Sequence, residues 1–141
     1  MKKYEALEHP AELRIRVFGK TKEELFKNAA YALANILSSK PITKTTKTND
    51  QKLKTKMQVQ AADLNLLLVD FLNEILARSQ INKRVYLVSD VKINTSGSTL
   101  YASYIGYSID HFDEDIKAVT HQDVDIKLKT KHWQTNLVFD I

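Results

Sequence analysis

In "LRIRVF" the apolar residues Leu13, Ile15 and Val17 alternate with Arg14 and Arg16, the period of a half-buried strand. Gly19 closes this strand, and an extended piece over residues 3–8 precedes it across "HPAE". The period then changes. In "TKEELFKNAAYALANIL", Phe26, Ala30, Leu33 and Leu37 recur at helical spacing. Thr21 as N-cap with Glu24 three residues on makes a capping box, and Pro41 stops the helix. The Lys- and Thr-rich stretch "KPITKTTKTNDQKLKTKMQVQ" predicts a loop to about Asp50, then a polar edge strand through Met57 and Val59. Asp63 caps a second helix, "LNLLLVDFLNEILARSQ". Its apolar face is Leu64, Leu67, Leu68, Phe71, Leu72 and Ile75, with Asp70, Asn73 and Glu74 on the polar side.

A hairpin follows: "RVYLVSDVKI", a turn at "NTSGS" where Gly97 supplies permissive backbone, and "TLYASYIGYSI". Tyr101, Tyr104 and Tyr107 fall on alternating faces of its second strand, which predicts at least one of them in the core. The acidic loop "DHFDED" leads to "IKAVTHQ". Strands at "VDIKLK" and "WQTNLVFDI" then meet at a turn over Thr130–Lys131. The order β-β-α-β-α-β-β-β-β predicts an α+β fold. It is a two-layer single domain over residues 1–141, with both helices packed on one face of mainly antiparallel strands.

Composition narrows the function classes. No apolar run of about 18 residues exists, so no helical membrane span is expected. "MKKYEALEHP" lacks the apolar region of a signal peptide, and a cytoplasmic location is the simplest expectation. With no cysteine, disulfides, thiolate metal sites and cysteine nucleophiles are excluded. A net charge of +4 permits a nucleic-acid partner without demanding one.

Serine-type triads, glycine-rich phosphate loops, HExxH and EF-hand patterns are absent, and no catalytic residue is assigned. His9, His111, His121 and His132 stand too far apart in sequence for a local metal motif. The lysines from Lys40 to Lys56 read either as a phosphate-contacting patch or as a solvated loop and charged edge strand. The latter fits better, because no aromatic residue interleaves them as in single-strand binders. In "DHFDED", Asp110, Asp113, Glu114 and Asp115 read as a solvated charged loop.

The end of the sequence is less ordinary. "LVFDI" alternates Leu137, Phe139 and Ile141 as strand positions, and sets the Asp140 side chain beside the main-chain carboxylate of Ile141. Two anions held together repel, and a cation, basic side chains or water must offset that repulsion. Hard oxygen donors favour calcium, magnesium or manganese.

Four blocks in order carry a family resemblance across nearly the whole chain. "EHPAELRIRVFGKTKEELFKNAAYAL" resembles the archease opening, E-H-T-A-D-I-G-I-R-V-Y-G followed by T-x-E-E-L-F and an alanine-rich helix. "DLNLLLVDFLNEIL" resembles the family's second helix, "IKAVTHQDVDI" its K-A-V-T-Y-H segment, and "LVFDI" its C-terminal end. The resemblance implies a small non-enzymatic protein that assists an RtcB-type 3′-phosphate RNA ligase in tRNA splicing and RNA repair. It would speed guanylylation and turnover of that ligase, meeting tRNA or broken RNA indirectly through it, with no membrane role. The resemblance also implies a divalent metal, usually calcium, held by Glu12, Asp140 and the terminal carboxylate of Ile141.

This sequence departs from the family pattern at several of those positions. Pro10 stands for threonine, Glu12 for aspartate and Arg14 for glycine, while His121–Gln122 replaces Tyr-His. Glutamate keeps the charge but is one methylene longer, so the cage shifts or widens. Arg14 is expected beside it, partly neutralising the anions. Two other readings stand beside this one: an RNA-binding or chaperone module using the lysine-rich face, and a metal-dependent hydrolase using Glu12 and Asp140. The hydrolase reading lacks an evident base or second metal cluster.

Overall fold

The computed structural model describes residues 1–8, 12–39 and 54–141. The Pro41 helix stop, the loop to Asp50 and most of the lysine-rich segment lie outside the described residues.

The strands among them are β1 (Tyr4–Leu7), β2 (Leu13–Gly19), β3 (Lys54–Gln60), β4 (Arg84–Ile93), β5 (Thr99–Ser108), β6 (Ala118–Val119), β7 (Lys127–Leu128) and β8 (Trp133–Asp140). The helices are α1 (Lys22–Leu37) and α2 (Leu64–Asn82). The fold is α+β, and every strand pair is antiparallel. The strands divide into two sheets. One runs β1-β2-β8-β6, with β7 also on β8; the other runs β3-β5-β4.

Both helices begin where their caps say. Thr21 Oγ1 accepts from the Glu24 amide at 3.0 Å, and Glu24 Oε1 reaches back to the Lys20 amide at 3.0 Å. Asp63 Oδ1 accepts from the Leu66 amide at 2.9 Å. Each cap satisfies amides that the first turn cannot pair internally. Lys83, at φ 53°, ends α2 in the left-handed region.

Helix α1 packs on β2 of one sheet and on β4 of the other, which explains how little of it meets solvent. Phe26 and Phe71 bring the two helices together, with ring centroids 6.0 Å apart. Leu67, Leu68, Leu72, Ile15, Val17, Leu137 and Phe139 fill the space around them. Val69, outside the predicted apolar face, is buried as well. Gly19 lets the end of β2 approach α1: a Cβ there would lie 2.3 Å from the Leu25 amide nitrogen.

Two stretches differ from the sequence expectation. "IKAVTHQ" contains the short strand β6, and of the strand expected over residues 124–129 only Lys127–Leu128 joins a ladder. Side chains take up the backbone there. The Asp125 amide donates to Thr135 Oγ1 at 3.0 Å and the Ile126 amide to Asn65 Oδ1 at 2.9 Å. Of the three tyrosines on the hairpin's second strand Tyr104 is the one in the core, and Tyr101 lies exposed.

Candidate metal centre at the end of the five-stranded sheet

The β2–β8 register decides what meets at the sheet's end. Leu13 stands opposite Phe139, and Arg14 opposite Val138. One step further along the same pair, Glu12 and Asp140 come to the same end of the two strands. Asp140 alternates with the buried Phe139 and is itself exposed, and Glu12 stands one residue before the first pair of the ladder.

The other side of Asp140 is pinned by main chain. Asp140 pairs with Ala118, and its carbonyl accepts from the Lys117 amide at 2.7 Å. Two residues earlier on β8, the Val138 carbonyl accepts from the Thr120 amide at 3.0 Å and from Thr120 Oγ1 at 3.1 Å. Helix α2 holds this whole segment: Asn73 bonds both polar groups of Val119, and Gln80 Nε2 donates to the Ile116 carbonyl at 2.7 Å. The last strand is therefore held by β2 up to Phe139 and by β6 up to Asp140, while Ile141 beyond it is 46% exposed.

Glu12 is already engaged. Arg14 Nε and Nη2 lie 3.1 and 3.0 Å from its Oε2, and Arg14 Nη1 binds Asp123 Oδ2. Asp123 sits at φ 63°, a left-handed turn conformation that aspartate tolerates. Among the described residues no ion pair or side-chain hydrogen bond holds the Asp140 carboxylate. Nor, among them, do three or more His, Asp and Glu side chains gather as a metal cluster. A cation at this end would need the Ile141 main-chain carboxylate as its third donor. Three carboxylates are hard oxygen ligands and suit calcium, magnesium or manganese. The donor set fits such an ion, provided Glu12 is shared with Arg14 or released by it.

The model of the Archease protein family (MTH1598/TM1083) matches residues 4–141. This chain belongs to the archease family. It is 33% identical over 148 residues to protein archease of Pyrococcus abyssi, covering 100% of both chains. It is 31% identical over 147 residues to protein archease of Methanosarcina barkeri, covering 99% of this chain and 97% of that one. In structure it is similar to Methanobacterium thermoautotrophicum protein 1598, with TM-score 0.75, 22% identity and complete coverage of both chains. It also resembles the Thermotoga maritima protein described as an archease and possible chaperone. That TM-score is 0.65 at 18% identity, over 96% of this chain and 94% of the other.

For an archease-family chain, the departures from the pattern take a definite form here. Arg14, at the glycine of the resembled opening pattern, sets its guanidinium against Glu12 and ties it to Asp123. His121 and Gln122 are exposed on the turn that carries Asp123. Asn73 and Asp123 escaped the sequence reading. Asn73 sits among polar helix positions, and nothing local marks that its partner is main chain 46 residues away. No described helix is long and apolar enough to cross a membrane.

Proposed function

We propose that this archease-family protein is a non-enzymatic activator of an RtcB-type 3′-phosphate RNA ligase, acting through the acidic end of its five-stranded sheet. Glu12, Asp140 and the Ile141 carboxylate would hold one divalent cation, calcium before magnesium or manganese. The register carries this reading: it delivers Glu12 and Asp140 to one end of β2 and β8, on a strand that α2 keeps clamped to its final pair. A bound cation supplies positive charge at an otherwise anionic tip, suited to a partner site that handles nucleotide phosphates. Asp140 and Ile141 hold it, Glu12 completes the set, and Arg14 offsets the remaining negative charge. The partner of this tip is the ligase, in the cytoplasm, and the RNA that the ligase joins reaches the tip through it.

The test is multiple-turnover RNA joining and ligase guanylylation, using a ligase from the same organism. One or two glycines added after Ile141 move the terminal carboxylate by about 3.5 Å each. Calcium–oxygen distances span only about 2.3–2.6 Å, so coordination is lost while strand packing is kept. The extended protein, and likewise Asp140→Asn, should stay folded and stimulate the ligase poorly. Stimulation equal to the parent's would remove the tip from the mechanism.

A further inference from the structure

The second sheet carries a surface that the acidic tip does not use. In the β3-β5-β4 sheet, Met57, Ala102, Tyr104, Val88 and Val91 face the helices and are buried. The alternate positions face outward. The register sets Tyr101 directly between Gln58 on β3 and Lys92 on β4, and in the next row it sets Ser103 between Lys56 and Asp90. Tyr101 is 52% exposed on the central strand. With Lys56, Asp90, Lys92 and Ser103 it lines a depression of about 300 Å³. Among the described residues, Lys56, Lys92 and the Tyr101 hydroxyl have no ion pair or side-chain hydrogen bond. The cations of the other sheet's outward face are committed, Arg16 to Glu5 and Asn136, and Lys127 to Asp125.

We infer that this face binds single-stranded RNA, with a base stacked on Tyr101 and flanking phosphates on Lys56 and Lys92. An aromatic ring between uncommitted cations is the arrangement by which sequence-tolerant single-strand binders hold a chain: stacking on the ring, phosphates on the charges. In the sequence no aromatic residue interleaves the lysines. The β3–β5 ladder supplies one from 43 positions further on, by setting Gln58 of that segment against Tyr101. Gln58 and Ser103 add hydrogen-bonding groups within reach of a base edge. Asp90 stands in the row beyond the ring, where it disfavours a phosphate and limits the cationic stretch to the Lys56–Lys92 diagonal.

The experiment is fluorescence anisotropy of a labelled ten-nucleotide oligouridylate with the full-length protein alone, titrated at several salt concentrations. Tyr101→Leu should weaken binding by about tenfold or more and Tyr101→Phe much less, since the ring does the stacking. Lys56→Gln with Lys92→Gln should flatten the log–log salt slope by about 1.4, at roughly 0.7 per phosphate contact. An abasic oligomer should bind as weakly to the parent as oligouridylate does to Tyr101→Leu. No binding at low salt would overturn the proposal. So would equal affinity of Tyr101→Leu, or of the abasic strand, since either reduces the face to a polyanion contact. All three side chains lie outside the core, and unchanged melting temperatures certify the variants. No ligase is present, so this result and ligase stimulation succeed or fail separately.

Discussion

Asn73 grips Val119 by both halves of its amide: Nδ2 donates to the Val119 carbonyl at 2.9 Å, and Oδ1 accepts from the Val119 amide at 2.8 Å. A helix side chain thus does for β6 what a neighbouring strand would do, and β6 in turn pairs with the end of β8. Asn73→Ala leaves both groups of a largely buried residue unpaired. We expect a loss of about 1–3 kcal/mol in urea denaturation, and faster hydrogen exchange at the Val119 amide than in the parent. A variant whose exchange at Val119 is unchanged would show that β8 alone holds this segment.

The clamp also marks where the sequence stops being readable. Caps and periodic faces are local, so Thr21, Asp63 and the faces of α1 and α2 could be read from neighbours a few residues apart. "LRIRVF" and "LVFDI" showed their strands for the same reason. What escaped depends on long-range pairing. The division into two sheets, the Asn73 clamp and the Arg14–Asp123 contact each join residues tens of positions apart. Strand "VDIKLK" was overread because its alternation is genuine, yet Thr135 and Asn65 take the amides a ladder would have used. The pairing of Glu12 with Asp140 comes from the family resemblance alone, and the register brings the two to one end of β2 and β8.

Core and surface on the helices separate cleanly. Leu68 on α2 is fully buried, and Leu68→Ala should destabilise by about 2–5 kcal/mol. Lys27 on α1 is exposed, and Lys27→Ala should change stability by no more than about 0.5 kcal/mol. Urea unfolding of both compares them directly; equal losses would mean the helix faces are misassigned.

Gly19 is held by space rather than by φ. A methyl group there would meet the Leu25 nitrogen at 2.3 Å and Leu25 Cα at 2.7 Å, and backbone does not step aside as a flexible side chain does. Gly19→Ala should push the end of β2 away from α1 and cost about 1–3 kcal/mol as overpacking, visible as a lower melting temperature. A variant as stable as the parent would show that this strand end moves freely.

Calcium should stabilise the folded protein if the tip binds it, because a ligand of the folded state alone adds about 2.7 kcal/mol at a hundred times its dissociation constant. The melting temperature should rise with calcium for the parent and rise less for Asp140→Asn. The same flat response of both proteins to millimolar calcium, magnesium and manganese would dispose of the cation and leave the fold as described.

Arg14 is the departure whose consequence can be measured at the tip itself. Its guanidinium holds Glu12 Oε2 at 3.0 Å, so any cation using Glu12 must contend with a fixed positive charge. Without metal, the pairs of Arg14 with Glu12 and Asp123 are partly exposed and worth at most about 1 kcal/mol. Arg14→Gln should therefore melt close to the parent in metal-free buffer. With calcium the order should reverse. Removing a unit charge about 4 Å from a divalent ion is worth roughly 2 kcal/mol in a water-like medium, so calcium should bind about thirtyfold more tightly by calorimetry. The gain should shrink as salt rises, since exposed charges are screened. Asp123→Asn makes the control: it frees Arg14 from its second carboxylate while keeping the guanidinium on Glu12, and so should not tighten binding. If Arg14→Gln binds calcium more weakly than the parent, Arg14 is a brace that shapes the site, not a charge that competes for it.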